Sequence, residues 1–177
     1  MKHSARIIQI DDSPTNPLRK EALSVRKEEF GTTELQKIIQ DMTKALAGEN
    51  DGVALAAPQI GISKRIFVVS PTAYEETAKW KPLVFINPKI TKASKKVEER
   101  QEGCLSVRFV YGKTHRHTAA TVEAYDIEGN KFSFGATDLI AHIFQHEIDH
   151  LDGILFIDHG YDLEEYESEE HYKHRND

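Results

Sequence analysis

One stretch limits the possible folds more than any other. From Asp138 to Asp152 the residues Leu139, Ile140, Ile143, Phe144 and Leu151 recur at helical spacing, and Gly153 ends the run. On a wheel of about 100° per residue they form a single apolar arc. Glu147 and His150 fall inside that arc and His146 sits at its edge. A chain folded around this helix must therefore bury three polar groups with its leucines, and a buried carboxylate without a partner costs on the order of several kcal/mol. Two imidazoles at i and i+4 point the same way and can grip one metal ion, with the glutamate beside the first held over the ion's open side. His146-Glu147-Ile148-Asp149-His150 is that arrangement.

A catalytic site of this type wants three protein ligands and one open position. The extended zinc-protease spacing would place a third histidine at position 156, which is Phe156, and only 24 residues follow Gly153 to supply one from a further helix. The upstream alternative is Cys104, in Gln101-Glu-Gly-Cys-Leu-Ser106, where a glycine lets the backbone approach closely and a thiolate can face an ion. It is the single cysteine of the chain, so it closes no internal disulfide and builds no four-cysteine zinc module.

The other 162 or so residues around the helix supply one ordinary domain, since 177 residues at 39% hydrophobic and 29% charged are enough for one core. The net charge of −6 is unevenly spread: residues 158–177 hold eight acids and two bases, and residues 1–157 balance to zero. With no basic stripe, nucleic-acid binding by phosphate neutralisation has no support. No run is apolar enough to span a bilayer, and Lys2, Arg6, Asp11 and Asp12 leave no room for a signal peptide's apolar stretch, so the expected location is the cytoplasm, without a membrane partner.

A first helix is predicted from about Thr33, with Thr33 and Gln36 as a capping box, to Gly48. Arg65 to Ser70, Leu83 to Asn87 and Thr118 to Asp126 read as strands, and Asp126 to Asn130 followed by alternating Lys131 to Phe134 reads as a hairpin. The expectation is an α+β fold, mostly antiparallel β-sheet around a central metal-binding helix, spanning residues 1–157, with 158–177 as an acidic C-terminal tail.

Three segments together resemble the peptide deformylase family: Gly52-Val-Ala-Leu-Ala-Ala-Pro-Gln59, Glu102-Gly-Cys-Leu-Ser106, and Gln145-His-Glu-Ile-Asp-His-Leu-Asp-Gly153, the last without a change. The resemblance runs from about Ile7 to Ile157. It implies that Cys104, His146 and His150 bind one divalent ion, usually Fe2+ in cells and replaceable by Zn2+, Ni2+ or Co2+. It implies removal of the formyl group from N-formylmethionyl nascent peptides, with Glu147 as general acid/base acting on metal-bound water. Gln59 and the backbone N–H of Leu105 occupy the family's oxyanion-binding positions. Backbone groups near Val53, Ala54, Glu102 and Gly103 would pair with the peptide as an added strand, and Leu139, His142 and Ile143 would face the first side chain. Arg116 matches a basic position that helps bind substrate in relatives.

The chain departs from the family pattern at three places. Ala54 replaces a second glycine, so its methyl group is expected to crowd the peptide, and Ala54→Gly to raise kcat/KM. Val107 follows the second motif where proline is usual, and His142 stands where arginine or an apolar residue is commoner. A zinc endopeptidase and a non-catalytic metal-stabilised module stay open as alternatives. The tail would carry Asp162, Glu164, Glu165, Glu167, Glu169 and Glu170 against Lys173 and Arg175, which disfavours ribosome docking through it. Leu163, Tyr161, Tyr166 and Tyr172 could pack a turn or two of helix, and removing the residues after Gly160 is expected to leave turnover unchanged.

Overall fold

The computed structural model describes residues 5–13, 15–74 and 83–167. Strands β1 (Ala54–Ala56), β2 (Ile66–Val69), β3 (Leu83–Ala93), β6 (Ala119–Tyr125) and β7 (Lys131–Thr137) form a five-stranded sheet in the order β1-β2-β3-β6-β7. Strands β4 (Val97–Cys104), β5 (Val107–His117) and β8 (Tyr161–Glu165) form a second sheet in the order β4-β5-β8. Every strand pair is antiparallel. This is the α+β architecture read from the sequence. None of the described helices is long and apolar enough to cross a membrane.

The large sheet buries both faces around β2, which is apolar and buried at every position, and the apolar first half of β3. Along β2 and β3, Phe67, Val69 and Phe85 turn to one side, and Ile66, Val68 and Ile86 to the other, as the two-residue period demands. Helix α1 (Thr33–Ala47) covers the second side with Leu35, Ile39, Met42 and Leu46. Its cap is Thr32, whose hydroxyl accepts from Leu35 N at 3.2 Å, one residue earlier than the capping box read from the sequence. Helix α2 (Asp138–Leu151) covers the first side with Ile143, Phe144, Ile148 and Leu151. The Phe144 ring meets Phe67, Phe85 and Phe134, so Phe144→Ala would cost about 3–5 kcal/mol.

The end of α2 is fixed one residue at a time. Ile154 N donates to Asp149 O at 2.9 Å and Gly153 N to His150 O at 3.2 Å, the double bond pattern of a Schellman stop. Gly153 sits at φ +74, which a side chain would resist, and an added Cβ would be 3.0 Å from the backbone of Arg19 and Lys20. The helix therefore stops just after His150, and its register over the sheet is set.

The acidic C-terminal segment is in part a strand. Val110 pairs with Glu165, Tyr111 with Glu164 and Lys113 with Tyr161, so the second sheet runs past Ile157, and a strand takes the place of the expected helical turn. Alternating acids and apolar residues on a sheet edge satisfy the backbone while leaving Asp162, Glu164 and Glu165 in water. Glu169, Glu170, Tyr172, Lys173 and Arg175 lie outside the described residues.

Candidate active site

The hairpin of β4 and β5 carries the cysteine into place. Gly103 pairs with Tyr111, but the next pair is Cys104 with Val107, so Arg108, Phe109 and Val110 have no partner on β4. This bulge bends β5 and re-aims the residues on either side of it. Phe109 adopts φ 64, a left-handed conformation that costs a non-glycine residue about 1–2 kcal/mol.

Opposite the end of β4, α2 presents its two histidines. Cys104 Sγ lies 3.2 Å from His150 Nε2, and donor atoms of Cys104, His146 and His150 all lie within 4.8 Å of one another. His146 Nδ1 donates to Glu102 Oε1 at 2.5 Å, which leaves its other nitrogen for the cluster. The Phe156 ring, at the position that an extended protease motif would give to a third histidine, stacks on His146 at 6.5 Å.

Charges around the cluster ask for a cation. Burial opposes the charged form of His146, but the Cys104 sulfur and the Glu102 carboxylate outweigh it and raise its pKa well above the ordinary value. Burial and the nearby His146 charge push His150 well below its ordinary value, so it is a neutral imidazole with a lone pair to give. Burial also pushes the Glu147 carboxyl up to about 7. Glu147 is 3% exposed, and among the described residues neither its Oε2 nor His150 Nδ1 has a hydrogen-bond partner. One thiolate and two imidazoles gathered this closely fit a divalent ion, and the donor set suits iron, zinc and cobalt alike.

Glu102 is the keystone of the surrounding layer. Its Oε1 accepts from His146 Nδ1 at 2.5 Å and Arg116 Nη2 at 2.7 Å. Its Oε2 accepts from Thr114 Oγ1 at 2.5 Å, His142 Nε2 at 2.9 Å and Arg116 Nε at 3.1 Å. Burial would raise its pKa, yet His142, His146 and Arg116 hold it far below the ordinary carboxylate range. Arg116 is itself 6% exposed and also donates to Asp149 Oδ2 at 2.7 Å. It does not line the pocket, because β5 turns it inward onto Glu102.

A pocket opens beside the cluster. Val53, Ala54, Gln59, Glu102, Gly103, Cys104 and Leu105 line one side; Leu139, His142, Ile143, His146 and Glu147 line the other. All the residues expected at the site thus come together there or behind it, except Arg116. Gln59 is 2% exposed; its Oε1 accepts from Ala56 N at 2.8 Å, and its Nε2 donates to Ser106 Oγ at 3.1 Å, 3.8 Å from Cys104 Sγ. Ala54 lines the pocket at its floor, yet it is 7% exposed, has an ordinary negative φ and packs in the core cluster beneath α2, so most of its surface is turned inward. Asp51, Gln101, Arg108, Phe109 and Tyr111 also line the pocket and were not singled out from the sequence. Thr114 and Asp149 join them as supports; Asp149 was in plain view inside the five-residue motif.

A family model described as Polypeptide deformylase matches residues 5–166. The peptide deformylase of Desulforudis audaxviator is 40% identical over 152 residues, which cover 86% of this chain and 92% of that protein. Peptide deformylase 2 of a Nostoc species is 42% identical over 155 residues, covering 86% and 83%. Among solved structures, the actinonin-bound class I type b peptide deformylase of Acinetobacter baumannii superposes with a TM-score of 0.78 at 30% identity, covering 88% of this chain and 97% of that one.

Proposed function

This chain belongs to the polypeptide deformylase family, a hydrolase that takes the formyl group from the N-terminus of new peptides, and from that premise we propose how its own residues do so. Cys104, His146 and His150 hold one divalent ion, Fe2+ in cells, with Zn2+, Ni2+ or Co2+ able to replace it. Bound there, the ion supplies Lewis-acid activation of water and of the formyl oxygen. Glu147 takes the proton of the attacking water and returns it to the leaving amine, so that formate and a free N-terminus are released. A carboxyl pushed up to about 7 can do both near neutrality, because neither transfer is strongly uphill. Gln59 Nε2 and the Leu105 N–H stabilise the oxyanion, each such donor being worth about 3 kcal/mol. Glu102 fixes the tautomer of His146.

The observation that carries this reading is Glu147 Oε2, buried, without a partner among the described residues, and beside three side chains that can hold a metal ion. A buried carboxylate without a partner is costly and protonation relieves the cost, so the group exchanges its proton near neutrality. The substrate is an N-formylmethionyl nascent peptide: Leu139 and Ile143 offer an unbranched side chain an apolar wall, and Val53, Ala54, Glu102 and Gly103 supply the peptide-pairing backbone. The activity belongs in the cytoplasm, near the ribosome but not docked through the acidic C-terminal segment, whose charge repels phosphates. The test is formate release from a formyl-Met peptide set against cleavage of the same peptide without its formyl group. Formate from the first and no cleavage of the second is the expected result; the reverse would make the protein an endopeptidase.

A further inference from the structure

Strand β8 touches the pocket through β5. The Tyr166 N–H donates to Phe109 O at 2.8 Å, at the residue whose backbone is left-handed. The Tyr166 and Tyr111 rings meet edge to face with centroids 5.9 Å apart. Leu163 lies over Gly112 so closely that an added Cβ there would overlap its Cδ2. Phe109 and Tyr111 both line the pocket. The Tyr111 ring is also pressed on Gly103, where an added Cβ would be 2.7 Å from two ring carbons. Strand β4 leaves Arg108 to Val110 unpaired, whereas β8 pairs Val110 with Glu165 and Tyr111 with Glu164. A strained residue keeps its conformation only where neighbours over-determine it, and here those neighbours include β8.

We propose that β8 and Tyr166, the residue that follows it, form a positioning element of the substrate pocket: they hold the bulge of β5 and, through Tyr166, the Tyr111 ring, and so set the wall against which the formylated peptide lies. Removing β8 therefore changes turnover at limiting substrate, contrary to the expectation from the sequence that residues after Gly160 are dispensable. The inference rests on reading the pocket as the peptide site. Tyr166 touches no reacting group, so its effect falls on binding and not on the chemical step.

The experiment compares KM and kcat of the full chain with those of Tyr166→Ala and Tyr166→Phe on a formyl-methionyl tripeptide, with the thermal midpoint of each. Tyr166→Ala should raise KM about three- to tenfold, the worth of one aromatic edge-to-face pair, and keep kcat within about twofold. Tyr166→Phe keeps the ring and should keep the wild-type KM. Should Tyr166→Ala lose its native melting transition, Tyr166→Leu carries the same expectation with a smaller rise. An unchanged KM in a folded variant lacking the ring, a fall in kcat alone, or a loss in Tyr166→Phe equal to that in Tyr166→Ala would overturn the proposal. Absence of formate release by the wild type would overturn the deformylase reading itself, and the pocket assignment with it.

Discussion

Replacing Glu102 by glutamine changes one atom and should weaken metal binding, although Glu102 is not a ligand. Five donors converge on its two oxygens, two on Oε1 and three on Oε2. A glutamine has one oxygen to offer, so the amide turns to keep three acceptances and puts its NH2 where Oε1 was. It then faces His146 Nδ1 and Arg116 Nη2. Arg116 loses a charge-assisted bond worth about 1.5–3 kcal/mol and keeps Asp149. His146 can satisfy the amide only by accepting at Nδ1, which moves its proton to the nitrogen that should hold the ion. Loss of such an orienting partner costs about 10–100-fold in metal affinity, or about 1.4–2.8 kcal/mol. At about 2–4 °C per kcal/mol for this chain length, the metal-free protein should melt about 3–12 °C lower. The assay is chelator competition for Co2+ at fixed pH, with the metal-free melting curve alongside. A dissociation constant within about twofold of wild type, in a variant whose melting point has dropped, would refute the claim that Glu102 sets the donor form of His146.

Glu147→Ala should keep its metal content by elemental analysis yet lose nearly all formate release; rates near wild type would remove Glu147 from the mechanism. Ala54→Gly should lower stability by about 0.5–1 kcal/mol and leave kcat/KM within about twofold, because the methyl group packs into the core beneath α2, and a clear gain in kcat/KM would show that it does crowd the peptide. Activity should decay in air and return on addition of Co2+ or Ni2+, since ferrous iron and Cys104 are both open to oxidation; equal half-lives with and without oxygen would point to zinc as the working ion.

The legible parts of this protein were those whose buried side chains are apolar. Helix α2 announced itself by Ile143, Phe144 and Leu151, and its polar intruders became visible against that arc; Leu139, read as part of the arc, is 47% exposed at the pocket. Strands β2 and β6, the apolar first half of β3 (Leu83 to Asn87) and the hairpin into β7 were found for the same reason, whereas the exposed, lysine-bearing run of β3 on to Ala93 was not. The β4–β5 hairpin was missed, although it carries Cys104, because the side chains it turns inward, Val107 apart, are Glu102, Thr114 and Arg116. A strand that buries a charge network alternates polar with polar, and hydrophobic periodicity has nothing to register. The misreading of Arg116 has the same origin: nothing in a run of Lys113, His115, Arg116 and His117 says which member faces the interior. Strand β8 was hidden by its acids, which belong to the solvent side of an edge.

The cluster draws Cys104 from the end of the small sheet and both histidines from a helix seated on the large one. An ion held there fastens the two sheets like a rivet through two plates. Its occupancy becomes a property of the whole fold: at a free ion level of about a hundred times its dissociation constant it would add about 2.7 kcal/mol to the folded state. Were the ion scarce, that stabilisation would be lost, and the unfolded population open to proteases would rise about a hundredfold. The cell's supply of one metal would then govern the lifetime of this protein as well as its rate.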